Sequence, residues 1–167
     1  EEGGLISEML RVMSTDSASA VRVAACDTVL LTKSTLVSIV DRVSDVKPEV
    51  RTASLERLSK DVSLKHLSST QRATIVQFGL GDRDETVKKT AIALIYKWVV
   101  SVHYKIPKLL QLLNIVVNED VATLVGRTLI ELVENPGDYA SIVKSDSQLR
   151  DAVRIHCPNW HLADEER

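Results

Sequence analysis

The sequence predicts an all-α fold of stacked antiparallel helix pairs, and three observations carry that expectation. A short unit recurs along the chain, apolar residues fall at helical rather than alternating spacing, and the hydrophobic residues are mostly aliphatic. The unit is visible in "TDSASAVRVAACDTV" at 15–29, "SDVKPEVRTASLERL" at 44–58 and "GDRDETVKKTAIALI" at 81–95. Asp16, Asp45 and Asp82 each stand five residues before Val21, Val50 and Val87, and each Val is followed by Arg22, Arg51 or Lys88. A weaker copy in "VVNEDVATLVGRTLIEL" puts Val121 at the Val position, with Val116 in place of Asp and Ala122 in place of the basic residue. The successive Val positions lie 29, 37 and 34 residues apart. A period of roughly 20–50 residues with unequal spacing is what stacked supersecondary units produce.

A chain of 167 residues has room for one ordinary domain or for about four helical hairpins. Composition favours the hairpins: 44% of residues are hydrophobic but only 4% are aromatic. Large aromatics commonly anchor a globular core, whereas thin helical layers fill with Leu, Val, Ile and Ala. The net charge of −2 gives no overall basicity that would announce nucleic acid or a membrane, so any such surface must be local. Cys26 and Cys157 cannot form a disulfide framework, which suits a reducing compartment. The apolar stretch "AIALIYKWVVSV" contains Lys97 and is too short to span a bilayer, and "EEGGLISEML" lacks the basic start of a secretion signal. Without an initiator Met, the chain reads as part of a longer protein.

The elements follow in order. Leu36, Ile39, Val40 and Val43 lie at i, i+3, i+4, i+7 and predict a short helix over 36–43. Pro48 suits the first position of the next helix, whose buried side is Val50, Ala53 and Leu58. Ser68 and Gln71 have capping-box spacing, and the helix they open is expected to exit at Gly79 and Gly81. Asp84 is placed to N-cap a helix over 85–100, where Val87, Ala91, Leu94 and Trp98 form the clearest stripe. Pro107 starts "KLLQLLNIVV", and Val121, Leu124, Thr128 and Leu132 continue the pattern to the break "NPGD" at 135–138. No stretch alternates as a strand would. The expected layout is about four HEAT-like repeats over 1–137 of an α-solenoid, then 138–167 as a degenerate helical tail or a segment joined across a gap. Within that tail "YASIVK" and "SQLRDAVRIHC" read as short helices.

The repeated charges have a structural reading. Asp16, Arg22, Asp45, Arg51 and Asp82 form a ladder in which Asp complements the positive start of a helix and accepts a hydrogen bond from a neighbouring repeat. Ligand contact is the other reading. Lys47, Arg83, Lys88 and Lys89 add positive charge that the ladder does not need. Positions 47 and 83 recur in two repeat turns, and the 88–89 doublet lies near the start of a helix, where lysine opposes the dipole and a bound anion would relieve it. A solvated face would explain the same four residues. Catalysis finds little support. "GLGDRD" lacks the Gly-Lys-Ser/Thr ending of a phosphate loop. His156, Cys157 and His161 fall short of the four ligands of a structural zinc site. His66 and His103 stand alone, and no Ser or Cys has a nucleophile context. Neither a metal nor a cofactor nor an enzyme is expected.

Over 41–99, Arg42, "DVK" at 45–47, "VR" at 50–51, Leu67-Ser68, Gln71-Arg72, "GLGDR" at 79–83, Val87-Lys88 and Trp98 occur in an order that resembles the condensin subunit 3 family, the HEAT-repeat G subunit of condensin. Weaker similarity continues through "NEDVATLVGRTLIELV", and the first 35 residues match only as a repeat. The resemblance implies a HEAT array that binds the kleisin subunit and with it holds double-stranded DNA in a basic groove. It implies a place on nuclear chromosomes, in mitotic condensation, with the ATPase on other subunits. DNA would be held by its phosphate backbone without base readout, and Lys47, Arg83, Lys88 and Lys89 are the matching positions. The competing class is a HEAT scaffold for a protein or peptide, of the transport-receptor or phosphatase-scaffold type, and a second is an enzyme built on the Cys/His tail. Salt-dependent DNA binding without sequence preference separates the first two, and metal analysis addresses the third.

Overall fold

Several helices begin where a side chain accepts from the unsatisfied N–H groups of the first turn, or where a proline removes one of them. The computed structural model describes residues 2–143 and 146–156. They form α1 (Glu2–Thr15), α2 (Ser19–Thr28), α3 (Lys33–Asp41), α4 (Pro48–Asp61), α5 (Ser69–Leu80), α6 (Glu85–Ser101), α7 (Ile106–Leu112), α8 (Glu119–Glu134), α9 (Ala140–Val143) and α10 (Ser147–His156). Single 3-10 turns at Arg42–Ser44 and Leu64–His66 flank α4. Thr32 and Thr35 cap α3 reciprocally, and Ser68 and Gln71 do the same for α5 at 2.8 and 3.1 Å. Pro48 opens α4, and Asp84 Oδ1 accepts the N–H groups of Thr86 and Val87 at 2.9 and 3.2 Å. No strand occurs among the described residues. No helix among them is long and apolar enough to cross a membrane.

The chain divides into two compact units, Glu1–Leu94 and Ile95–Arg167. In the first, α1 pairs with α2, α3 with α4, and α5 with the start of α6, while α2 packs on α4 and α3 on α5 between pairs. Its core is aliphatic, with Ile39, Val50, Leu55, Ile75 and Val87 fully buried. Ser54 Oγ, also buried, donates to the Ile39 carbonyl at 2.6 Å and so pins α4 to α3. Burial pushes the Cys26 thiol up to about 11, which leaves it protonated and inert at neutral pH. Val21 departs from its counterparts: it is 42% exposed where Val50 and Val87 are buried. The repeated Val marks a position, and its burial depends on which helices lie over it.

Gly79 is not at the helix exit that its residue type suggested. It lies inside α5, buried, and a Cβ built there would stand 2.7 Å from Ala91 Cβ of α6. Its missing side chain is what lets the two helices approach so closely. The exit is made by Gly81 alone, in an ordinary backbone conformation, where a Cβ would meet the Gln77 carbonyl oxygen at 2.6 Å.

The second unit begins within α6, where Ile95, Trp98 and Val99 are buried. There α10 packs against α7 and α8, around Leu109, Leu113, Val125, Leu129, Leu149 and Val153. The buried stripe of α8 runs through Val121, Val125, Thr128, Leu129 and Leu132, so Leu124 is only half-buried. Helix α7 stops at Leu112 instead of continuing through "NIVV". Asn114 takes φ 56°, a conformation Asn tolerates, and the Asn118 amide donates to the Leu113 carbonyl at 3.1 Å, closing a turn that competes with the helix. Ile115, Val116 and Val117 are left exposed.

The close approach of α5 and α6 is directly testable. Gly79→Ala should destabilise the chain by about 1–3 kcal/mol through overpacking, and Ala91→Gly in the same chain should recover much of it. Thermal melts of the two single variants and the double variant check this. Additive losses would mean that the two positions do not press on each other.

Candidate nucleic-acid interface

Three within-pair turns are built alike. Asp16 Oδ1 accepts the Ala18 N–H at 2.9 Å, Asp45 Oδ1 accepts that of Lys47 at 3.0 Å, and Asp82 Oδ1 accepts that of Asp84 at 2.9 Å. Such an Asx turn stiffens the entry to the following helix. Arg22 and Arg51 occupy the fourth positions of α2 and α4. Arg22 donates Nη1 to the Asp16 carbonyl at 2.7 Å, and Nε and Nη2 to the two Asp45 oxygens at 3.1 and 2.7 Å. Arg51 repeats the pattern one pair on, with Nη1 2.9 Å from the Asp45 carbonyl oxygen and Nε and Nη2 2.6 and 2.8 Å from Asp82. Each guanidinium therefore closes its own turn and grips the next. Only a planar fork of several N–H groups can satisfy both at once; an ammonium could not.

These pairs are sheltered. The side chains of Arg22 and Asp45 are 7% and 4% exposed, and those of Arg51 and Asp82 17% and 6%. Burial by itself would raise the Asp45 pKa, but the Arg22 hydrogen bond, the Lys47 N–H and the charges of Arg22 and Arg42 together hold it below the ordinary carboxylate value. Asp82 is lowered in the same way against its burial, by Arg51 and by the N–H groups of Asp84 and Arg83.

The other ends of the helices are stitched differently. Arg57, near the end of α4, donates to the carbonyls of Asp27 and Val29. Its Nε stands 2.9 Å from Asp61 Oδ2, an ion contact in which the N–H is not aimed at the oxygen. Buried Arg72 donates Nε to the Leu64 carbonyl at 3.0 Å. In the second unit the phenols of Tyr96 and Tyr104 both donate to Asp146 Oδ2, at 2.6 and 2.7 Å, while Asp146 Oδ1 caps α10 through Gln148 and Leu149. Burial, then the Asp146 hydrogen bond, raises the Tyr96 pKa. This cluster holds a turn in which His103 and Tyr104 take φ 54° and 58°. Sequence reading missed it: Asp146 stands before its helix as Asp84 does, but the tyrosines carry no periodic signal.

The four additional basic residues lie beside the ladder. Lys47 is exposed at the start of α4. Arg83 is exposed in the turn before α6 and lines a surface cavity of about 420 Å³ with Asp45, Arg51, Phe78 and Asp82. These two sit on successive turns joined by Arg51. Lys88 takes the fourth position of α6, matching Arg22 and Arg51, and is half-buried; Lys89 is exposed and about 100° further round the helix. The doublet is thus split between faces. Val116, where the next ladder carboxylate would stand, is 92% exposed. Asp16 uses its carboxylate on Ala18 and its carbonyl on Arg22. Among the described residues no three His, Cys, Asp or Glu side chains are grouped to hold a metal ion. His156 ends α10 in the open, and Cys157 and His161 lie outside the described residues.

Stacked helix pairs with a turn ladder define the class as an all-α HEAT-repeat fold. A solved structure described as the crystal structure of the S. pombe condensin Cnd3-Cnd2 subcomplex shares that fold at a TM-score of 0.74, with 24% identity, covering 95% of this chain and 23% of that one. Condensin complex subunit 3 of Schizosaccharomyces pombe is 32% identical over 126 residues, 74% of this chain. The human protein of the same name is 29% identical over 133 residues, 79% of this chain. No protein-family model matches. Over most of its length the chain is similar to condensin complex subunit 3. It spans 14% and 13% of the length of those two curated relatives. Nothing in these likenesses indicates a catalytic family.

Two outcomes follow from the ladder. Arg51→Glu puts like charges together at Asp82 and should destabilise the fold by at least about 3 kcal/mol, the scale of breaking a buried pair, whereas Lys89→Glu should stay within about 0.5 kcal/mol; denaturant melts compare them. Because Asp45 and Asp82 are depressed in the folded state, their contribution is complete above the ordinary carboxylate pKa near 4 and is lost as pH falls through their folded values. An Arg51→Met, Asp82→Leu double variant should therefore lose less melting temperature than the parent between pH 5 and pH 3. An equal loss would show that other carboxylates set the acid sensitivity.

Proposed function

We propose that the chain acts within a condensin HEAT subunit that, with the kleisin subunit, holds double-stranded DNA by its phosphate backbone in mitotic chromosome condensation. The observation that carries this reading is the 32% identity to condensin complex subunit 3 over 74% of the chain. The fold neighbour was solved as a Cnd3-Cnd2 subcomplex, which supports a second subunit as partner. The position of the charges supports a DNA role. The Asp45 and Asp82 carboxylates are occupied by arginines, while Lys47, Arg83 and Lys89 remain exposed beside them. Such a surface binds phosphates by counterion release and reads no bases. The subunit works by holding, not by catalysis, and resides in the nucleus and on chromosomes.

The test is salt-titrated binding of two unrelated duplexes, with and without the kleisin subunit, to the parent and to a variant with Lys47, Arg83, Lys88 and Lys89 all changed to Glu. Binding should weaken alike on both duplexes, and each lost phosphate contact should flatten the slope of log affinity against log salt by about 0.9. Unchanged affinity and slope in a variant that melts like the parent would refute the assignment of these residues.

A further inference from the structure

At the far end of α4 from the charged turns, the connection before α3 and the one after α4 border a second concavity. Helix α4 has 14 residues, so the two sites are separated by roughly 20 Å. This groove has a volume of about 490 Å³, within the range of sites that hold ligand-sized groups. Its floor is apolar: Leu36 and Val62 are buried beneath it and Leu31 is half-buried at its side. Its rim carries two lysines, Lys33 and Lys65, with His66 beside them, and all three are exposed. The one carboxylate in the lining, Asp61, already stands 2.9 Å from Arg57. No carboxylate among the described residues lies within ion-pair distance of Lys33 or Lys65. The groove therefore keeps two ammonium groups without local counter-charges above a greasy floor.

We propose that this groove docks a short acidic segment of a partner protein, seating one apolar side chain over Leu31, Leu36 and Val62 while flanking carboxylates meet Lys33 and Lys65. Charge complementarity selects an acidic partner, and the floor selects a peptide over a nucleic acid. A phosphate backbone would satisfy the lysines but gain nothing from three aliphatic side chains, whereas one leucine laid on them removes apolar surface from water on both partners. The site stands independently of the proposed DNA surface, because it shares no residue with it.

The experiment is fluorescence anisotropy on the whole chain with a labelled eight-residue peptide of Asp and Glu carrying one central leucine. Saturable, salt-weakened binding is expected. It should fall by about tenfold or more in a Lys33→Glu, Lys65→Glu variant, and by a similar factor when the peptide leucine is replaced by serine, since each change removes interactions on the order of 1.4 kcal/mol. Both lysines are exposed, so the variant should keep its circular dichroism and melting temperature; if it does not, Lys33→Gln with Lys65→Gln must show the same loss. Absence of saturable binding overturns the proposal. So does equal binding of the leucine-free peptide, which would reduce the groove to general electrostatic attraction, or displacement by an unlabelled DNA duplex. The variant changed at Lys47, Arg83, Lys88 and Lys89 should bind the peptide as the parent does, which separates failure here from failure of the DNA reading.

Discussion

Arg51 holds two turns at once. It closes the Asp45 turn through the backbone carbonyl and grips both oxygens of Asp82 in the turn of the following pair, as Arg22 does one pair earlier with Asp16 and Asp45. The carboxylates that it and Arg22 meet are nearly excluded from water, so a missing guanidinium would leave a buried charge with a large desolvation penalty. Burial and pairing depend on one another here. The turns can be sheltered because the arginines neutralise them, and the arginines are fixed because the Asx turns present the carboxylates at a set height. This geometry sets how one helix pair follows the next in the first unit.

The stack is held at three levels, each with different chemistry. Charge acts at the within-pair turns. In the last turn of α5 the restraint is steric, since Gly79 removes the side chain that would otherwise hold α5 off Ala91 of α6. At the connections between pairs it is the backbone that is gripped, by Arg57 on the Asp27 and Val29 carbonyls and by Arg72 on that of Leu64. Among the described residues of the second unit no arginine fork occurs, and two phenols gather on Asp146 instead. Phenols donate one hydrogen bond each, so two are needed to occupy one carboxylate oxygen that elsewhere meets part of a single guanidinium.

Pairing also explains how a slightly acidic chain can offer basic surface. Asp45 and Asp82 face arginines in shelter from water, Asp61 faces Arg57, and Asp146 is taken up by tyrosines, so these negative charges are already met where they stand. Net charge is then a poor guide to the field at any one place, because the field is set by which charges are already met. Exposed cations stand at both ends of α4, beside the ladder and around the apolar groove, and the two environments differ in what lies between the charges: polar turns in one, aliphatic side chains in the other.

Local signals were legible where a few neighbouring residues decide the outcome. The Ser68–Gln71 box, Pro48 at a helix start and the Asp84 cap depend on contacts within one turn, and the stripe Val87, Ala91, Leu94 and Trp98 depends only on helical period. The recurrence of Asp and Arg could be read in the same way, as could the class of fold it implies. Which carboxylate each arginine reaches could not, because Arg22–Asp45 and Arg51–Asp82 span 23 and 31 residues and exist only once pairs stack. The same limit applies to Gly79, whose role depends on a methyl group in another helix, to Val21, whose exposure depends on its neighbours, and to Lys88 and Lys89, adjacent in sequence but about 100° apart on α6. The repeat, the helices and their caps can be read along the chain, since those are set by residues within a few positions of each other. The pairing of charges, the close helix contact and the apolar groove arise only in the folded stack, since each is made by side chains that only stacking brings within reach.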